Sequence, residues 1–471
     1  MAGVSPEPAS FRDRRGRVYD VDGRILRSVM PIAAEDFEFV RTTGLIDELV
    51  GARMLVAESL VDRSALNGQG EGASLVLEHP RLPYISYPYE WSFAALKAAA
   101  LFHLDLQLRA LSKDVALTDA SAYNVQFDGP SPIFIDSLSF RRYEDGEFWH
   151  GHRQFCEQFV NPLLLRAVLG LPHNAWYRGS LEGISAAEMS RILPWSSRLS
   201  WHTLTNVFIQ ARLQRSESST GRALETARTR KLPRLGFEQM LIGLRRWIGG
   251  MTPKSDGKTE WQDYASDNSY ADGETAIKRQ FVAEFVESSE PRLLFDLGCN
   301  TGDFSALALR CGARRTIGFD LDYGALDHAY DRACREALNF LPLHLDAANP
   351  SPEQGWFQAE RKGFARRAKC DAVLALAFVH HLVFSRNVPL PDVVDWIVDM
   401  APRGIIEFVP KSDPMVQRLL QLRSDLFSDY TQENLESRLN SRGRIASSRT
   451  VTESGRTLYI YERGTARHGH V

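Results

Sequence analysis

No uncharged apolar run in this chain is long enough to span a bilayer. The N-terminus, Met1-Ala2-Gly3-Val4-Ser5-Pro6-Glu7-Pro8, lacks the basic-then-apolar order of a secretory signal. Both absences predict a cytoplasmic protein with no membrane insertion. The five cysteines, Cys156, Cys299, Cys311, Cys334 and Cys370, form no C-x-x-C pair and are odd in number. That pattern predicts reduced thiols and argues against a disulfide framework or a zinc site. No internal repeat or long low-complexity tract stands out. Charge excess is missing as well: 56 basic side chains face 59 acidic ones, a net charge of -3, which gives no general drive toward nucleic acid or acidic membrane. Lysine is absent before Lys97. What remains is a globular composition, 44% hydrophobic and 24% charged, over 471 residues. That length is too great for one ordinary core and predicts at least two domains.

The most informative stretch is Leu293-Leu294-Phe295-Asp296-Leu297-Gly298-Cys299-Asn300-Thr301-Gly302-Asp303-Phe304-Ser305. It reads as a short strand, a turn with two glycines, then a helix, the entry to a nucleotide-type site in a doubly wound sheet. Asn300 stands where a full G-x-G-x-x-G has its middle glycine, so phosphate binding is not the best reading. Asp296 agrees, because a carboxylate repels pyrophosphate and suits a cationic or hydroxyl-bearing ligand. Further strands follow at 316–322, 341–345, 370–377 and 403–410, with a last pair at 450–451 and 457–462. The first ends in Asp320-Leu321-Asp322, about 20 residues past the loop, where a carboxylate meets ribose hydroxyls. The second leads into Asp346-Ala347, the third into Phe378-Val379-His380-His381-Leu382, and the fourth carries Glu407. Helical stretches separate the strands, which predicts a parallel sheet with helices on both faces.

This succession resembles the class I S-adenosylmethionine-dependent methyltransferases over residues 260–465. The resemblance implies a Rossmann-like seven-stranded domain, S-adenosylmethionine as cofactor, and methyl transfer to an O or N atom of a small-molecule, sugar or natural-product acceptor. It implies that Asp296, Gly298, Cys299, Asn300 and Gly302 hold the amino-acid part of the cofactor. Asp320, with Leu321, is implied for the ribose, and Asp346, with Ala347, for the adenine. A segment ahead of the glycine loop closes over the cofactor in many members. By that analogy Tyr264 and Tyr270 are candidates and Lys278 reaches the cofactor. The cofactor's sulfonium makes its methyl group electrophilic, so the protein's task is alignment and exclusion of water. His380, His381 and Glu407 are candidates for a base, each also readable as a packing, capping or substrate-orienting residue. No metal site is expected. His150 and His152 form His-Gly-His without an evident third ligand.

The first half is of a different kind. A hairpin is expected at Asp22-Gly23, a helical segment over 34–58, a loop over 67–72, short strands at 74–77 and 84–87, and a long helix over 93–111. Then Asp119, Asn124 five positions on, a hairpin, and Asp136 at a strand end follow in order. The order is similar to the catalytic and metal-binding loops of kinase-like folds, which would make these residues base, ligand and ligand. The plain alternative is a capped turn and a shaped hairpin. The family's early-strand lysine is missing, and only Arg24 or Arg27 could supply that charge. No phosphate-covering glycine loop precedes them. Residues 212–230 are basic but mixed with acids, which reads as a solvated helix face and not as a nucleic-acid patch. The expected organisation is α/β: a mixed α+β, kinase-like domain over 1–248, a linker over 249–259, and the methyltransferase domain. A bifunctional methyltransferase–kinase acting on a glycan, and a non-catalytic cofactor-binding subunit, are the alternatives.

Overall fold

The computed structural model describes residues 4–217, 231–254, 272–421 and 426–464. The chain divides into two units: Met1–Asp256 with Glu353–Lys362, and Gly257–Pro352 with Gly363–Val471.

In unit 1, β1 (Val4–Pro6), β2 (Val18–Val21), β3 (Arg24–Val29), β4 (Ser59–Val61) and β5 (Leu75–His79) form an antiparallel sheet in the order β1-β2-β3-β5-β4. β2 and β3 turn at Asp22 and Gly23, at φ 52° and 86°, the pair of positive angles a tight hairpin requires. The expected helical segment over 34–58 is two helices, Pro31–Thr42 and Leu45–Gly51, because Gly44 at φ 71° breaks the run. Past Gly51 the chain leaves the helix. No strand forms at 84–87. There Ser86 N donates to Gln126 Oε1 (2.9 Å) and Gln126 Nε2 donates to Ser86 O (3.0 Å), so a side-chain amide takes the place of a neighbouring strand. The helix Phe93–Leu111 is capped by Ser92 Oγ, which accepts from Ala95 N at 3.2 Å, and buries Leu96, Ala100, Leu104 and Leu111. β6 (Val115–Leu117) pairs with β9 (Phe140–Arg142), and β7 (Val125–Asp128) with β8 (Ser131–Phe134). Among the described residues, the segment after β9 up to Met251 is mainly helical.

Ten residues that leave unit 2 between two of its strands, Glu353–Lys362, belong to unit 1. Glu360 pairs with Arg12. Lys362 Nζ pairs with Glu7 at 2.8 Å, and Lys362 N donates to Tyr87 Oη at 3.0 Å. The Arg361 guanidinium stands 4.2 Å from the Tyr123 ring centroid.

Unit 2 is one sheet: β10 (Leu294–Leu297), β11 (Thr316–Asp320), β12 (Phe340–His344), β13 (Ala372–Ala375), β14 (Arg403–Phe408), β15 (Gly443–Thr450) and β16 (Thr457–Arg463). Its order is β12-β11-β10-β13-β14-β16-β15. The first five strands are parallel, while β16 runs antiparallel to both β14 and β15. This is the seven-stranded Rossmann-like sheet that the resemblance implies. β10 and β13 are buried at every position, as strands covered on both faces must be. The order reverses between β10 and β13, and there a crevice opens at the carboxyl ends of the strands. Among the described residues, no helix is long and apolar enough to cross a membrane.

Candidate functional site

The loop after β10 holds its shape by unusual angles. Gly298, Asn300 and Gly302 have φ of 75°, 49° and 82°. Asparagine is among the few side chains that tolerate this region, which accounts for Asn300 in place of a glycine. A Cβ on Gly302 would stand 2.5 Å from the Phe340 ring of β12, so this glycine permits close contact with the sheet. The loop's N–H groups turn inward. Gly298 N and Cys299 N donate to Phe319 O, and Gly302 N donates to Cys299 O. Asn300 N donates to Asp320 Oδ2 at 2.8 Å. A phosphate cradle needs such N–H groups aimed at the ligand; these four are spent on the protein.

A cavity of about 320 Å³ lies at the carboxyl ends of β10, β11, β12 and β13. Its walls include Asp296, Gly298, Cys299 and Asn300, then Asp320, Leu321, Asp346 and Ala347, and also Lys278 and His381. Asp296 is buried, and its Oδ2 accepts from Ser305 Oγ at 2.7 Å. Burial, with the Asp320 charge adding to it, pushes its carboxyl up to about 6. Burial raises Asp320 too, against the N–H donors of Asp322 and Asn300. The two acids of Asp320-Leu321-Asp322 divide the work. Asp322 caps the helix Tyr323–Arg335, accepting from Gly324 N (2.7 Å) and Ala325 N (2.9 Å). Asp320 binds the loop and keeps part of its surface open to the cavity. Asp346 accepts from Ala348 N at 3.1 Å and meets Arg386 at 3.4 Å.

Some expected site residues stand elsewhere. Glu407 is fully buried and does not line the cavity. Its Oε2 accepts from Lys278 Nζ (2.6 Å) and from Ala377 N (2.7 Å), which commits it to holding Lys278. His380 is also fully buried, outside the lining, with its ring 4.1 Å from that of His381. Of the two histidines, His381 faces the cavity. Burial and then the Arg456 charge lower it to about 4, so it is neutral near pH 7 and able to accept a proton in a hydrogen bond. Gly302 shapes the loop from behind. Tyr264 and Tyr270 lie outside the described residues. Sequence reasoning missed Arg456, which lines the cavity while almost wholly buried and grips Asp413 with two bonds of 2.6 and 2.9 Å. Its partner is 43 residues away, and no local signal pairs them.

The polar residues of unit 1 do gather. Ser139 Oγ donates to Asp136 Oδ2 (2.8 Å) and also contacts Asp119 Oδ1 (3.2 Å), while Asn124 Nδ2 stands 3.4 Å from both acids. Burial and then the Asp136 charge push Asp119 up to about 7. From β3, the buried Arg27 pairs with Asp136 at 2.6 Å and with Asp13 at 2.8 Å. Arg24 instead meets Glu78 at the surface, at 2.6 Å. His152 is not loose surface: its Nε2 faces Asn206 Oδ1 and its Nδ1 faces Gln210 Nε2, both at 2.9 Å. Among the described residues, no three His, Cys, Asp or Glu side chains are placed to hold a metal ion.

No family model matches the chain. Nodulation protein NoeA of Rhizobium meliloti (strain 1021) is 47% identical to it over 468 residues, 98% of each chain. Ribosomal protein L11 methyltransferase of Azotobacter vinelandii is 41% identical over 61 residues, 12% of this chain and 21% of its own. Among solved structures, magnesium protoporphyrin IX methyltransferase from Synechocystis PCC 6803, crystallised with bound SAM, is similar at a TM-score of 0.30. It is 16% identical and covers 45% of this chain and 87% of its own.

Proposed function

The chain belongs to the family of nodulation protein NoeA, and from that premise and the acid-lined cavity we propose that it is an S-adenosylmethionine-dependent methyltransferase. One observation carries the reading. Three acids, Asp296, Asp320 and Asp346, reach a single cavity from three adjacent parallel strands, beside a glycine loop whose N–H groups are turned away from it. Those acids suit a ligand with a sulfonium, an ammonium, ribose hydroxyls and an adenine amine. The residues fit that group: Asp296, raised by burial, gains from a cation at hand.

When bound, S-adenosylmethionine would supply an electrophilic methyl group. The chain's residues would do the positioning. Asp320 would accept from the ribose hydroxyls, and Asp346 from the adenine amine. Lys278, fixed by Glu407, sets a cation at the amino-acid end. His381 would accept a hydrogen bond from the acceptor's O–H or N–H, orient its lone pair toward the methyl, and take up the proton that the acceptor loses as the new bond forms. The acceptor is a small molecule, sugar or natural-product intermediate, methylated on O or N, and the domain spans about 260–465, apart from the excursion Glu353–Lys362, after a linker at 249–259. Calorimetric titration with S-adenosylmethionine tests the assignment. Wild type is expected to bind, and Asp320→Ala to lose binding. A folded wild type that does not bind sinks it. Binding without turnover over a broad acceptor panel moves the protein to a non-catalytic cofactor-binding role.

A second reading concerns unit 1, where Asp119, Asn124 and Asp136 come together behind a five-stranded antiparallel sheet. That supports a kinase-like scaffold, with bifunctional action on a glycan as its strongest form. Against active phosphotransfer, the early-strand lysine is missing, and Arg27, the β3 cation that meets Asp136, is engaged by two carboxylates. Titration with ATP and magnesium decides: heat lost in Asp136→Ala favours the bifunctional form, and no heat leaves a scaffold.

A further inference from the structure

Seventeen large hydrophobic side chains are exposed among the described residues, and six of them fall between Ile192 and Leu213. They include Trp195, Leu199 and Trp201, exposed by 72, 77 and 70%. Single exposed apolar residues are ordinary; a concentration of this size marks an interaction surface. The stretch consists of the helix Ala186–Ile192, the short turn Trp195–Leu199, and a continuous helix over 201–217 with a π-helical turn at Leu204–Ile209. On that last helix Trp201, Ile209 and Leu213 recur at offsets of eight and four, which places them in one outward stripe. The opposite side buries Thr203, Asn206, Val207 and Ala211 against the unit.

A second observation says what this face is made to meet. All three segments contribute to one groove, walled by Arg191, Arg198 and Arg212 with Leu204 and Phe208 between them. The Arg198 guanidinium lies 4.8 Å from the Phe208 ring centroid. Among the described residues, no ion pair joins any of the three arginines to a carboxylate. Elsewhere in unit 1 arginines are routinely paired, as Arg15 is with Asp36, Arg81 with Asp20 and Arg245 with Asp105. Three guanidiniums with no carboxylate partner among the described residues thus converge on one groove, in the same stretch of chain that exposes Trp195, Leu199 and Trp201. Tryptophan favours the boundary between headgroups and acyl chains. Arginine binds phosphate oxygens in a fork and, near an anionic bilayer, each cation adds to the attraction.

We propose that this face docks unit 1 on an anionic phospholipid surface, with Trp195, Leu199 and Trp201 entering the interface and Arg191, Arg198 and Arg212 meeting lipid phosphates. The attachment is peripheral and independent of cofactor binding in unit 2. It brings the enzyme to acceptors that reside at a membrane.

The test is sedimentation of the full chain with vesicles of phosphatidylcholine alone and of phosphatidylcholine with a third phosphatidylglycerol. Sedimentation with the anionic vesicles only is expected, falling as salt rises. The double variant W195S/W201S should abolish it. Each of Arg191→Gln, Arg198→Gln and Arg212→Gln should weaken it by about fivefold. All these side chains are exposed or line the groove, so thermal unfolding and S-adenosylmethionine titration serve as folding controls and should match wild type. A chain that stays in the supernatant with both vesicles overturns the proposal, as does equal binding to both. So does a dimer that W195S/W201S dissolves without any vesicle binding, which assigns the face to a second copy. Retention by single-stranded RNA in place of vesicles overturns it in favour of nucleic acid.

Discussion

Asp119, Asn124 and Asp136 in unit 1 and Asp296, Asp320 and Asp346 in unit 2 are similar sets on paper, polar residues placed after strands with acids held close together. The chain completes one set and leaves the other open. In unit 1, Asp136 has both oxygens engaged: Oδ1 by Arg27 and Leu138 N, Oδ2 by Ser139. The cation is built in. In unit 2, Asp296 Oδ2 accepts from Ser305 Oγ, and all three acids line a cavity. Charge that the fold neutralises itself serves stability, whereas charge it leaves at the wall of a cavity is available to a ligand. The difference lies in the buried arginine on β3, whereas Asp346 meets the exposed Arg386.

Removing that arginine should give the largest effect. Arg27→Met leaves Asp13 and Asp136 without their cation, and a stability loss of about 3–5 kcal/mol is expected in denaturant titration. S-adenosylmethionine affinity should not change among the molecules that remain folded; a matching loss of affinity would erase the contrast between the two sets. Asp320→Ala comes next. It should weaken cofactor binding by about 100-fold, roughly 2.7 kcal/mol, read by calorimetry. An unchanged affinity would mean that the open set is as self-contained as the closed one.

The pH dependence sharpens the comparison further. A carboxyl raised in the folded state holds a proton that the unfolded chain has lost, so its contribution to stability is full below about 4 and disappears as pH rises through the folded value. For Asp296 that window closes at about 6, and for Asp119 at about 7. Hydrogen exchange should therefore show both regions loosening between about pH 4 and 7 in the free protein, the Asp296 region first. Added S-adenosylmethionine should offset the loss around Asp296 and leave Asp119 as it was. Cofactor affinity itself should fall below pH 6 by up to about tenfold per unit, and Asp296→Asn should flatten that slope. The smallest effect is expected from Arg386→Gln. Its pairing with Asp346 is long and part-exposed, worth less than about 1 kcal/mol. A severe loss of binding there would show that Arg386 grips a ligand directly.

The strands that build the cavity were the most legible part of the chain. β10, β11 and β14 appear as apolar runs because a doubly covered sheet has no face for polar residues. The run at 370–377 overstates β13, which is paired only over Ala372–Ala375; Ala377 turns with φ 49° and gives its N–H to Glu407. β15 was visible only at its last residue, since its sequence, Gly443-Arg444-Ile445-Ala446-Ser447-Ser448-Arg449-Thr450, belongs to an edge largely open to solvent. Lys278 with Glu407 and Arg456 with Asp413 could not be read at all. Each pair spans separate elements, 129 and 43 residues apart, and no periodicity links them. The spacing of Asp119, Asn124 and Asp136 was readable, but nothing in it says that Arg27 would close the set. The near-zero net charge likewise hid the arginine groove, because a sum over 471 residues cannot report where three of them converge.

The excursion Glu353–Lys362 bears on how this protein can be taken apart. Counted along the backbone, the chain passes between its units three times, at 256/257, 352/353 and 362/363. A gene cut once, at the first crossing, does not yield two finished products. The partners of Glu7, Arg12 and Tyr87 would travel with the wrong half. Each fragment made alone would expose an unfilled side of that contact, and the two made together would carry their own means of complementation. An asymmetry follows from the same connectivity: exchanging the stretch after residue 256 for a homologous module also removes ten residues of unit 1, whereas exchanging the stretch before it removes nothing of unit 2.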